Sequence, residues 1–177
     1  MSGLSGFDDV ADKVPVGGKQ GLKGIADGDY QMQIEKAEIV TGQYGTQVKM
    51  KMIILTDGLY KGVEVDNIYY LTNKDKKTGT ESLNETSVGI VKKDLEVMGF
   101  DVGNWTKANG HPLSAQLPKA TATITAVKPV VNCKKSTSGD GKYHNLYLNE
   151  RVILPSQPEK FSQEFIDKCG EGEDLPF

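Results

Sequence analysis

Asp29-Tyr30-Gln31-Met32-Gln33-Ile34-Glu35-Lys36-Ala37-Glu38-Ile39 is the stretch on which the fold turns. Tyr30, Met32 and Ile34 alternate with polar residues, the period of a strand with one buried face. The phase then slips, so that Ala37 and Ile39 become the apolar members. A bulge near Glu35-Lys36 accounts for the slip, and a bulge bends a strand. One long, bent strand can serve two halves of a sheet.

Reading outward, Thr41-Gly42-Gln43-Tyr44-Gly45 supplies a turn. Residues 46–55 alternate again, with Val48, Met50, Met52 and Ile54 inward and Gln47, Lys49 and Lys51 outward. A second turn at residues 57–62 leads to a third strand at 63–72, and residues 73–79 read as a basic loop. A helix over 85–98 follows: Asn84 caps it, Val88, Val91, Leu95 and Met98 form its apolar stripe, and Gly99 closes it. After a looser segment, where Trp105 reads as a plug under the core, a fourth strand is expected near 119–128. A long loop over 129–141 then precedes a fifth strand at 142–154. Three strands, one helix and two strands is the element order of an OB-fold, a five-stranded Greek-key barrel with its helix between strands 3 and 4. Other small β-barrels and sandwiches share similar strings. The expected class is mainly β. Its divisions are a flexible or partly docked leader at 1–28, the barrel domain at 29–154 and an acidic tail at 155–177.

The chain has 177 residues and a formal charge of −3, unevenly spread. Residues 40–155 hold 15 Lys/Arg against 11 acids, whereas both ends are acidic. A basic middle between acidic ends suits a polyanionic ligand better than whole-chain charge suggests. The start, Met1-Ser2-Gly3-Leu4-Ser5-Gly6, does not read as a secretory signal, and no apolar stretch is long enough for a membrane span. Cys133 and Cys169 suit a reducing cytoplasm better than a disulfide scaffold. No cofactor is expected: Cys133, Cys169, His111 and His144 lack the close pairing of a zinc site.

The fifth strand carries the clearest chemistry. Leu146, Leu148, Val152 and Leu154 fall on one face, and Tyr143, Asn145, Tyr147, Asn149 and Arg151 on the other. The second set lines up stacking platforms, amides and a guanidinium, which suits bases and phosphates. Lys49 and Lys51 extend that face on the second strand. On the third, Tyr69 shares parity with Val63, Val65 and Leu71, which places Tyr70 outward. Loops add Tyr44, then Lys74, Lys76 and Lys77, then Lys134, Lys135 and Lys142, with residues 134–141 expected as a flexible basic finger. Tyr also packs across ordinary exposed strands, and Lys often only solubilises an edge.

The chain closes with Gly170-Glu171-Gly172-Glu173-Asp174-Leu175-Pro176-Phe177. An acidic, glycine-loosened stretch cannot bury enough apolar surface to order itself. Leu175 and Phe177 can fill an apolar pocket of a partner, Glu171, Glu173 and Asp174 add charge, and Pro176 limits the conformations that binding must freeze. This ending resembles the C-terminal peptide of bacterial single-stranded DNA-binding proteins. Asp29-Tyr30-Gln31-Met32-Gln33-Ile34-Glu35-Lys36-Ala37-Glu38, Leu59-Tyr60-Lys61-Gly62 and Tyr143-His144-Asn145-Leu146-Tyr147-Leu148-Asn149 are similar to segments of phage-encoded members of that class. The resemblance implies an OB-fold protein, not an enzyme. Such a protein coats single strands in phage DNA replication, recombination and repair within the cytoplasm of a bacterial host. It also implies that the tail recruits host replication or repair proteins, although the acidic run here is short and broken by Gly172.

Two rivals remain in view. An adaptor could bind peptide with the same barrel. A metal-dependent nuclease would draw on Glu64 with Asp66, Asp75 or Asp140, patterns too short to be specific. An exposed edge strand makes a homodimer plausible.

Overall fold

The computed structural model describes residues 22–171. In chain order it contains β1 (Gly28–Gly42), β2 (Gly45–Ile54), β3 (Glu64–Tyr70), a short hairpin of β4 (Thr72–Lys74) and β5 (Glu81–Leu83), α1 (Glu85–Met98), α2 (Leu113–Val127), β6 (Val130–Thr137), β7 (His144–Val152) and α3 (Gln163–Gly170). One-turn 3-10 segments lie at Leu22–Gly24 and Val102–Asn104. The main sheet has five antiparallel strands in the order β3-β2-β1-β6-β7. Among the described residues β3 and β7 are its free edges, so the sheet is open and not a closed barrel.

The bent first strand is present. Ile34 faces Met52 and Lys36 faces Lys51, so Glu35 is the extra, bulged residue. Before the bulge, Gly28–Gln33 of β1 also pair with β6; after it they do not. Lys128 holds the bulge, its Nζ donating to both the backbone oxygen and Oε2 of Glu35 at 3.0 Å. Beyond the bulge a side chain covers the strand's freed edge: the Ala37 N–H donates to Thr125 Oγ1 of α2 at 3.0 Å. The core gathers the inward residues of these strands, among them Met32, Ile34, Val48, Met50, Met52, Ile54 and Leu148, under Leu95 and Met98 of α1 and Ile124 of α2. Each such side chain contributes about 1.5–3 kcal/mol by leaving water.

The helix expected over 85–98 forms with those bounds. Asn84 accepts from the Ser87 N–H, and Gly99 closes the helix in the left-handed region with φ 106°. Trp105 is buried, its ring 5.7 Å from that of Phe100.

The expected fourth strand near 119–128 is wrong. Residues 119–127 belong to α2, which Lys128 caps, and the fourth main strand is β6, inside the stretch expected as a loop. The Thr-rich composition argues for a strand by propensity, but Leu117, Ala120, Thr121, Ile124 and Val127 are buried at helical spacing. The threonine hydroxyls bond back within the helix, Thr123 to Lys119 O at 2.8 Å and Thr121 to Pro118 O at 2.9 Å, so they do not compete with it. The single expected helix is therefore joined by α2 and α3.

Part of the expected basic loop at 73–79 is hairpin, since Thr72–Lys74 pairs with Glu81–Leu83. The expected tail boundary shifts, while residues 22–27 of the leader, expected as flexible or partly docked, pack on the domain. Ile25 is in the core on the leader side. On the tail side Phe161, Ile166 and Cys169 are buried, Ser162 caps α3, and Lys119 Nζ meets Asp167 Oδ1 at 2.7 Å. No helix among the described residues is long and apolar enough to cross a membrane.

Candidate nucleic-acid interface

The outward face of β2 and β3 carries Lys49, Lys51 and Tyr70. Strand alternation sends Tyr69 into the core and leaves Tyr70 43% exposed. Tyr70 faces Gln47 across the ladder, next to Lys49 opposite Ile68. Both lysines already face carboxylates, Lys49 Nζ at 3.8 Å from Asp66 and Lys51 Nζ at 3.4 Å from Glu64. Half-exposed pairs of this kind contribute little and can be exchanged for a phosphate.

The β6–β7 pair brings Lys134 opposite Tyr147 and Ser136 opposite Asn145. Tyr147 is 49% exposed, and Tyr143, in the connecting turn, is 66% exposed. That turn is closed by its own bonds: the Lys142 N–H donates to Asp140 Oδ1 at 3.1 Å and the Tyr143 N–H to Ser138 Oγ at 3.0 Å. Lys134 therefore sits on a strand where a flexible finger was expected, and Lys142 and Tyr143 lie in a tied turn where the fifth strand was expected to begin.

Two expected contacts fail. Lys135 points inward and is 2% exposed, with Nζ 2.7 Å from Asp27 Oδ1 and 2.8 Å from Thr137 Oγ1. Bonds from Lys135 and Thr137 hold the Asp27 carboxyl down at about 2. Arg151, the chain's only arginine, is also inside at 6% exposure. It donates to Met98 O at 3.0 Å, Glu159 O at 3.3 Å and Gln157 Oε1 at 3.2 Å, and lies over the Phe161 ring. The reason is a second bulge. Asn132 faces Glu150 and Cys133 faces Leu148, so Asn149 is extra and every later side chain of β7 changes face.

Tyr44 and Lys76 meet at the start of β2, and Lys74 and Lys77 lie on the same short hairpin as Lys76. The β4–β5 hairpin rests on the β1–β2 turn, where the Thr46 N–H donates to Thr72 Oγ1 at 2.8 Å. Gly45, with φ 109°, permits this approach: a Cβ there would lie 2.6 Å from Thr72 Oγ1. The docking sets Lys76 Nζ 5.9 Å from the Tyr44 ring centroid.

Tyr70, Tyr147 and Asn145 converge on one cleft of about 420 Å³ between the two edge strands. One face of α1 forms its other side through Ser87, Ile90 and Lys93. Its floor is polar. Asn67 Nδ2 donates to the Tyr69 hydroxyl at 2.9 Å, and that hydroxyl donates to Asp94 Oδ2 at 2.6 Å. Burial raises Asp94 to about 6, partly offset by the bond from Tyr69, and pushes Tyr69 well above its usual range. Asp94 was missed from sequence, although an acid between Val91 and Leu95 on an apolar stripe is a visible irregularity.

Of the expected tail contacts only Glu171 lies within the described residues; Glu173, Asp174, Leu175, Pro176 and Phe177 lie outside them. Among the described residues no three His, Cys, Asp or Glu side chains gather to hold a metal ion, and Glu64 and Asp66 face lysines instead. No protein-family model, curated protein or solved structure matches the chain.

Proposed function

We propose that the chain is a non-sequence-specific single-stranded DNA-binding protein. Bases stack on Tyr70, Tyr147 and Tyr143, with Tyr44 at the far end. Lys49, Lys51, Lys74, Lys76, Lys77, Lys134 and Lys142 neutralise phosphates. The observation that carries this reading is the convergence of Tyr70, Tyr147 and Asn145 on one cleft with lysines on the flanking strands. Stacking is sequence-tolerant and worth about 1–3 kcal/mol per base. The sheet order and bulged β1 support an OB-fold-like reading of the domain, with its seam open between β3 and β7. The phage setting, the bacterial cytoplasm and recruitment of replication, recombination or repair proteins by residues 171–177 rest on the resemblance of the quoted segments.

Fluorescence anisotropy of labelled oligo-dT at two salt concentrations tests the reading. With about four phosphates neutralised, log K falls against log salt with a slope of about −3. Removing residues 172–177 strengthens binding if the acidic tail competes for the lysines. A flat salt response, or equal affinity for duplex, contradicts the proposal. The adaptor reading draws on one observation, the exposed Ile68 and Ile90 beside the open β3 edge; it becomes the better account if oligo-dT does not bind.

A further inference from the structure

The seam between β3 and β7 is also where residues 1–21 meet the fold. Leu22 lines the cleft beside Tyr70, Tyr147 and Ile90, and Ile25 is already in the core. The other segment outside the described residues, 172–177, leaves elsewhere. It follows α3, where Cys169 lines a separate groove between α2 and the part of β1 after its bulge, and Gly170 abuts Lys119. Of the two, the leader is the segment tethered at the cleft.

The seam is unpartnered in three respects. The Leu71 N–H donates to Thr46 O and the Ile54 N–H to Val63 O, so the odd-numbered residues of β3 turn their backbone toward β2. Ile68 and Tyr70 consequently turn theirs toward the open edge, where no strand pairs with them among the described residues. Around that edge Ile68, Tyr70, Ile90 and Tyr147 leave apolar surface exposed. The acids of the cleft are engaged, Asp66 by Lys49 and Asp94 by the Tyr69 hydroxyl. Lys93 on α1 and Lys134 opposite Tyr147 are exposed cations in no ion pair among the described residues. An occupant that suits all three carries a ring or aliphatic group, a backbone able to lie along a strand edge, and negative charge. Phe7-Asp8-Asp9-Val10-Ala11-Asp12 has each of these, and residues 1–12 contain no Lys or Arg. Asp12 lies about ten residues before Leu22, a reach of up to about 35 Å. A tether of that length makes the encounter intramolecular, so weak contacts suffice.

We propose that residues 7–12 of this chain occupy the seam between β3 and β7 when no strand is bound, and that a bound single strand displaces them. Phe7 lies against Tyr70 and Tyr147, and the carboxylates of Asp8, Asp9 and Asp12 face Lys93 and Lys134. The segment offers what a nucleotide offers, a ring to stack with negative charge beside it. The seating stands apart from the single-strand reading; the displacement rests on that reading and names the regulation of its site.

Zero-length carbodiimide cross-linking of the full chain, mapped by mass spectrometry after digestion, reads the seating without any DNA. The expected products join Asp8, Asp9 or Asp12 to Lys93 or Lys134 within one chain, and saturating oligo-dT suppresses them. Leader carboxylates joined to neither lysine overturn the proposal. So do links from Glu173 or Asp174 to Lys93 and Lys134, which make the tail the occupant, and links only between chains, which make it a second copy. The displacement is read by titrating labelled oligo-dT with the wild type and with Phe7→Ser, which changes no charge. The variant should bind about fivefold more tightly, the gain expected if the cleft is free in about one-fifth of wild-type molecules. Equal affinity of the two proteins, with oligo-dT bound tightly, overturns the displacement and leaves the single-strand reading intact. Leader cross-links in a chain that binds no oligo-dT support the seating and remove the single-strand reading.

Discussion

Lys134 and Lys135 are neighbours with opposite roles. Alternation along β6 puts Lys134 beside Tyr147 on the outer face and Lys135 in the interior, where Asp27 neutralises it. A sequence shows two adjacent lysines and gives no reason to divide them, because the partner lies 108 residues away. Tyr69 and Tyr70 could be divided, since their strand has an uninterrupted alternation. Arg151 could not: the extra residue Asn149 reverses the phase just before it. Asp94 carries the residue-scale prediction. Its carboxyl titrates near 6 in the folded protein against 3.8 unperturbed. The folded state thus binds the proton more tightly, and this group's contribution to stability falls as pH rises from about 4 to about 6. A shift of about two pKa units corresponds to about 3 kcal/mol. Asp94→Asn keeps an acceptor for Tyr69 and removes the titration, so it should gain on the wild type by up to about 3 kcal/mol between pH 4 and pH 7.5 in urea unfolding. A gap between the two proteins that does not change with pH would contradict this assignment.

At the scale of elements, β1, β2, β3 and α1 were legible because each satisfies its period with ordinary apolar residues. The Glu35 bulge was legible too, since it shifts that period visibly. The exchange of α2 for a strand was not, because Thr121, Thr123 and Thr125 carry strand propensity while their hydroxyls are satisfied inside the helix. β6 was hidden by the same effect in reverse, an inward position occupied by buried Lys135. The stretch from residue 155 to α3 looked like tail because its charges and prolines dominate its few apolar residues. Yet Arg151 ties that stretch down through Gln157 and Glu159, and the Phe161 N–H donates to Gly99 O at 3.0 Å. Ile166, 1% exposed, is the anchor of α3. Ile166→Ala should cost about 2–5 kcal/mol in urea unfolding, whereas deletion of residues 172–177 should leave the transition unchanged. Equal behaviour of the two variants would place the domain boundary where the charge pattern alone suggests.

Across the whole molecule, the open sheet and the distribution of charge point the same way. Two edge strands face one seam, α1 packs against both, and the seam collects the exposed tyrosines of β3 and β7. Lysines of β2, β6 and two turns flank that seam, while the excess of acid lies near the termini. On the proposed reading, bases stack on these tyrosines while the flanking lysines take the phosphates. The single-strand reading therefore stands or falls with the seam tyrosines. The measurement that reaches it most directly is a titration of labelled oligo-dT with the wild type and with Tyr70→Ala plus Tyr147→Ala, after circular dichroism has matched their folds. The account predicts a loss of about 2–6 kcal/mol, some thirtyfold or more in affinity, with the salt slope unchanged because every lysine remains. Undiminished binding by the double variant would contradict it.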